Sequence, residues 1–104
     1  MKDLDSQLEA IISKYKDIEN QLSNQVSLGT NKLVELNKEY SDLTPVVEVI
    51  HKYVKIKQEI VHLNELVKDE DNSIREIAEE EVKEKNIDLK NIEKDLLKSL
   101  LPKD

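Results

Sequence analysis

The sequence predicts an all-α fold: an antiparallel helical hairpin of coiled-coil type, with a further N-terminal helix packed alongside, three to four helices in all. Three observations carry that prediction. Among 104 residues Gly occurs once, Pro twice, and Phe and Trp never, which starves tight turns, Gly-rich loops and aromatic-lined sheets of their usual residues. Charged residues and apolar residues each make up 38%, a mixture suited to long helices with one solvated face. Leu, Ile and Val also recur at alternating steps of three and four, the heptad spacing of packed helices. That regular apolar content separates the chain from disordered polar sequences.

The first element follows from Leu4, Leu8, Ile11, Tyr15, Ile18 and Leu22, a seam that predicts a helix of about twenty residues. Gly29 is the expected left-handed helix stop, and Thr30 or Asn31 the expected cap of the next helix. The seam resumes at Leu33, Leu36, Tyr40, Leu43, Val47, Ile50, Val54, Ile56 or Lys57, and Val61. Thr44-Pro45 interrupts it. Proline inside a helix costs about 3 kcal/mol, yet almost nothing at the first helical position. Thr44 is a good cap, so either the helix breaks here or it continues with a kink; the seam keeps its phase across the proline, which favours two nearly collinear helices. Asp69-Glu70-Asp71-Asn72 is the polar connector, with Asn72 or Ser73 capping a last helix and Glu76 completing a capping box. That helix carries Ile74, Ile77, Ala78, Val82, Leu89, Ile92, Leu96 and Leu100. Lys85 falls where the seam wants an apolar side chain, so looser packing is expected there. The short connector sends this helix back antiparallel, leaving the turn as a tip and Leu100-Leu101-Pro102 at the opposite pole.

A chain of this length makes one domain at most, its core a narrow Leu/Ile/Val seam. With no cysteine there is no disulfide framework, thiolate nucleophile or Cys-based zinc site, which fits a cytoplasmic protein. No apolar run approaches the roughly 18 residues that span a bilayer, and Met1-Lys2-Asp3 opens no signal peptide. The net charge of −7 is unevenly spread: residues 1–44 hold five Lys against eight acids, residues 45–68 four Lys against three, and residues 69–104 seven Lys and Arg against twelve acids. Broad phosphate binding is excluded by that balance. Only the middle segment, with Lys52, Lys55 and Lys57 beside His51, offers a basic cluster to RNA or to an acidic partner.

No catalytic constellation emerges. Glu79-Glu80-Glu81 point about 100° apart on a helix and form a solvated acidic face rather than an acid–base pair. His51 and His62 share a face but stand about 16 Å apart along the axis, too far to share a metal ion. Asp69, Asp71, Ser73 and Glu80 match calcium-loop positions, but the required glycine is Ile74, so no metal is assigned. Tyr15, Tyr40 and Tyr53 read as seam-edge residues with buried rings and hydroxyls in water. No cofactor and no small-molecule substrate are implied. The candidate partner contacts are Lys52, Lys55 and Lys57 on the helix and Asp69, Asp71 and Asn72 at the tip.

Three stretches, in this order, carry a resemblance: Glu39-Tyr40-Ser41-Asp42-Leu43-Thr44-Pro45-Val46-Val47, Ile77-Ala78-Glu79-Glu80-Glu81-Val82, and the closing Leu100-Leu101-Pro102-Lys103-Asp104. Together they resemble the N-terminal domain of the bacterial peptide chain release factor 1 family of class-I release factors. The resemblance implies residues 1–101 as that N-terminal helical domain and 102–104 as the start of a linker to decoding and catalytic domains beyond Asp104. It implies an intact factor that recognises UAA and UAG in mRNA and promotes hydrolysis of peptidyl-tRNA on the ribosome. It also implies that this domain docks toward the protein and rRNA of the large-subunit stalk base and is not itself an enzyme. The Gly-Gly-Gln motif of hydrolysis is absent from a chain with one glycine. Pro45-Val46-Val47 only mimics the Pro-x-Thr codon reader, since Val47 lacks its hydroxyl. The competing reading is a generic coiled-coil module that binds other helices or itself.

Overall fold

The computed structural model describes residues 3–24 and 28–102, and every element in that range is helical. Helix α1 spans Leu4–Asn24, α2 Thr30–Leu66 and α3 Asn72–Leu100. The chain divides into two compact units, Met1–Glu48 and Val49–Asp104, and α2 runs through the boundary.

In the first unit α1 starts on an unforeseen cap. The Asp3 carboxylate accepts the Ser6 backbone N–H at 2.8 Å, and the Asp3 carbonyl accepts that of Gln7 at 3.3 Å. The first bond satisfies an orphan donor of the first turn and the second opens the helical ladder, with the negative charge at the favourable end of the dipole. Leu8 and Ile18 from α1 are buried, as are Leu36 and Val47 from α2. The pairing is antiparallel: Tyr15 meets Thr44 at 2.8 Å, whereas Glu19, further along α1, meets Tyr40, earlier in α2, at 2.9 Å. Gly29 differs from expectation. Its φ is not left-handed, and its carbonyl accepts the Leu33 N–H at 3.0 Å. It therefore occupies the cap position of α2, displacing the expected Thr30 or Asn31; glycine is acceptable there because it leaves the first-turn donors open to water.

Thr44-Pro45 does not break the second helix into two, contrary to the sequence reading. Pro45 lies inside one 37-residue helix. The Pro45 nitrogen has no hydrogen, so the Ser41 carbonyl loses its normal donor. One residue earlier, Thr44 turns its hydroxyl back to donate to the Tyr40 carbonyl at 2.7 Å. The same hydroxyl that could cap a new helix is spent on the old one.

In the second unit α2 and α3 form the expected antiparallel hairpin. Glu59 pairs with Lys85 at 2.9 Å, and Lys52 and Ile56 share a groove with Asn91, Ile92 and Asp88. Ile50, Tyr53, Leu63, Ala78 and Leu96 are buried. This corrects the seam beyond Ile50: it runs through Tyr53, Ile56, Ile60 and Leu63, leaving Val54 41% and Val61 62% exposed. A register taken one residue late turns each side chain about 100° from the partner helix. On α3 the inward row is Arg75, Ala78, Val82, Lys85, Leu89, Ile92 and Leu96, while Ile77 is 61% exposed and Ile74 lies outside the seam. Lys85 occupies an inward position, as expected, but an ion pair with Glu59 closes the gap.

Candidate partner-contact surfaces

The hairpin turn is built by its own acids. As α2 ends, the N–H groups of Val67, Lys68 and Asp69 bond to the carbonyls of Leu63, Glu65 and Leu66. The Asp69 carboxylate then accepts the Asp71 N–H at 2.9 Å, and the Asp71 carboxylate accepts the Ser73 N–H at 2.8 Å. Asp71, with extended φ and ψ, is the N-cap of α3, one residue before the expected Asn72 or Ser73. The earlier residue wins because its carbonyl also accepts the Arg75 N–H at 3.0 Å, opening the helical ladder. Arg75 clamps the turn from the other side, its guanidinium donating to the carbonyls of Asp69 at 2.8 Å and Glu70 at 3.2 Å. Glu70, Asp71 and Asn72 remain exposed, and Asp69 is half-buried.

The basic strip lies elsewhere on the hairpin. Lys52 and Lys55 line an open groove with Ile56 and Glu59 of α2 and with Asp88, Asn91, Ile92 and Asp95 of α3. Their charges thus face three carboxylates across and along the groove. Lys57 instead stands 5.1 Å above the ring of buried Tyr53, a cation–π contact. About 14 Å of helix separates Lys57 from the end of α2, so the strip and the turn are two surfaces rather than one site. Lys85 is held charged above its ordinary range, first by its hydrogen bond to Glu59 and then by that carboxylate's charge.

The tyrosines form contacts that heptad spacing did not announce. The Tyr15 and Tyr40 rings stack with centroids 4.7 Å apart and planes 8° from parallel. Tyr40 donates to Glu19 at 2.9 Å. Since Thr44 spends its only proton on the Tyr40 carbonyl, the Tyr15 hydroxyl must donate to Thr44. Two hydroxyls expected in water are therefore bonded within the protein. The Tyr15 hydroxyl and then the Glu19 carboxylate push the Tyr40 phenol well above its ordinary range. Lys14 and Glu39 add an exposed pair at 3.3 Å beside this cluster.

Among the described residues no group of three or more His, Asp or Glu is placed to hold a metal ion. No described helix is long and apolar enough to cross a membrane. Residues 103 and 104 of the expected linker lie outside the described residues, while Leu101 closes α3 through its N–H to the Lys98 carbonyl at 3.3 Å.

The PCRF domain model matches residues 11–104. Peptide chain release factor 1 of Wolbachia pipientis is 40% identical over 105 residues, covering 98% of this chain and 29% of that protein. Peptide chain release factor 1 of Anaplasma phagocytophilum is 37% identical over 102 residues, covering 96% and 28%. That of Agathobacter rectalis is 39% identical over 99 residues, covering 93% and 28%. The chain thus spans under a third of the length of these relatives. No solved structure matches it. With about nine-tenths of its residues inside that match, on an all-helical scaffold, the chain belongs to the PCRF domain family.

Proposed function

We propose that this chain is the N-terminal docking domain of a cytoplasmic translation termination factor that directs peptide release at UAA and UAG. The observation that carries the reading is the alignment of 98% of the chain, at 40% identity, with a protein named peptide chain release factor 1. In this reading decoding of mRNA and hydrolysis of peptidyl-tRNA belong to other domains of the intact factor. The helical domain docks toward the large-subunit stalk base, meeting ribosomal protein and rRNA. The contacts proposed are Asp69, Asp71 and Asn72 at the hairpin turn and the strip of Lys52, Lys55 and Lys57. A turn clamped by Arg75 and two carboxylates presents its backbone in one arrangement, which lowers the ordering cost of docking.

A chimera tests the proposal. The matched segment of the Wolbachia factor is replaced by this chain, and release is measured on ribosomes carrying peptidyl-tRNA and a chosen stop codon. Release at UAA and UAG but not at UGA is expected, with none from the isolated chain. Release by the isolated chain, or a folded chimera that fails to bind ribosomes, would overturn the reading.

A further inference from the structure

The cluster around Pro45 joins two helices through one hydroxyl group. Thr44 has a single proton and donates it to the Tyr40 carbonyl at 2.7 Å, in the turn that Pro45 deprives of a backbone donor. Its oxygen meanwhile accepts the Tyr15 hydroxyl of α1 at 2.8 Å. The sequence around it favours a different state. A residue before proline is biased away from helical φ and ψ, Thr is a good N-cap, and Pro is preferred at the first position of a helix. In that state the Thr44 oxygen would turn forward to accept the Val47 N–H, with extended backbone at Thr44. It could not at the same time lie back along α2 against the Tyr40 carbonyl. The two arrangements of Thr44 are therefore mutually exclusive, and each matches one form of α2.

We infer that α2 is a two-state element, continuous through Pro45 only while α1 is docked and Tyr15 holds the Thr44 hydroxyl back. When α1 lifts away, the helix re-caps on Thr44 and divides into 30–43 and 45–66. The stacked Tyr15 and Tyr40 rings and the Tyr40–Glu19 bond keep α1 in place beside that turn. Such an element couples the docking of α1 to the continuity of α2, which a change at either helix would bias. The inference concerns the fold alone and stands whether or not the ribosomal reading does.

Amide hydrogen exchange on the whole chain tests it. In the divided state the Val46 N–H loses its Asp42 carbonyl partner, while amides late in α2 keep theirs. Tyr15→Phe is expected to speed exchange at Val46 roughly three- to tenfold relative to amides in 56–63, the effect of one hydroxyl bond. In a Pro45→Ala background, where the interior helix is no longer disfavoured, the same change should leave Val46 in step with those amides. Equal acceleration along all of α2, no change at Val46, or an undiminished local effect in the Pro45→Ala background would each overturn the inference. If Tyr15→Phe alone leaves the chain unfolded, Thr44→Ala decides the matter: without the capping oxygen, Val46 should stay protected relative to 56–63, and its selective loss of protection would count against a Thr44-capped state.

Discussion

Tyr40 stacks on one neighbour and donates to another, and its phenol is held protonated by the Tyr15 hydroxyl and the Glu19 carboxylate. Because the folded value is raised, this contribution is complete below the ordinary tyrosine range, about pH 10, and is lost as pH climbs through the folded value. Lys85 has the same sign for a different reason, its ammonium bonded to Glu59. Chemical denaturation above about pH 10 should therefore show stability falling, and Tyr40→Phe should flatten part of that fall. A profile unchanged by Tyr40→Phe would mean the cluster adds nothing to stability. Asp3 has the opposite sign. The Ser6 backbone N–H, then its hydroxyl, lower the carboxyl, so its support of α1 is present above about pH 4 and lost on acidification. Helicity of α1 measured residue by residue by NMR should fray from Asp3 below that pH, and Asp3→Ala should remove the dependence. Tyrosine positions were legible from the heptad spacing; their hydrogen bonds were not, since they depend on which side chain of another helix lies opposite.

The starts of α1 and α3 are decided by where a short polar side chain can reach. Asp71→Ala removes the cap of α3 and is expected to destabilise the second unit by about 1 kcal/mol, read from thermal unfolding. Asn72→Ala, at the first helical position instead, should cost a small fraction of that. Equal costs would return the cap to the position expected from sequence. Lys85 tests the interior of the same helix. Its inward position is paired with Glu59, and both members of such a pair are often replaceable together by apolar side chains without loss. Lys85→Leu combined with Glu59→Leu should keep or raise the melting temperature, whereas Glu59→Leu alone, leaving Lys85 without its carboxylate, should lower it. The heptad pattern read α1 and most of α3 correctly because one repeat persists along each. It failed at Val54 and Val61, though not at Ile56; Tyr53 and Val54 are both plausible seam residues, and only the partner helix chooses between them.

Across the molecule, the buried side chains among the described residues are apolar ones and Tyr53, with Ile50 and Leu96, both in the second unit, the most deeply buried large side chains. Leu96→Ala and Ile50→Ala should each cost about 2–5 kcal/mol in denaturant unfolding, a large part of the stability of so small a domain. Leu97→Ala, at a position 60% exposed, should cost little. A Leu97 penalty equal to that of Leu96 would place the α3 seam one residue away. Function was legible only as far as resemblance carried it: the order of Glu39–Val47, Ile77–Val82 and the Leu-Leu-Pro ending pointed to the family that the PCRF match establishes, while the candidate contacts at Lys52, Lys55, Lys57, Asp69, Asp71 and Asn72 rested on charge clustering and the polar turn alone. The sequence by itself determined the all-helical class and the antiparallel hairpin, because heptad period, scarce glycine and a short acidic connector are local properties; the family came through the resemblance of three stretches in order. Only the tertiary structure decided that α2 passes unbroken through Pro45, that Lys85 is closed by Glu59, and that Arg75 clamps the turn. In each case the residue's preference is weak or adverse on its own, and a side-chain bond made in the folded arrangement accompanies the outcome: Thr44 to the Tyr40 carbonyl, Lys85 to Glu59, and Arg75 to the Asp69 and Glu70 carbonyls.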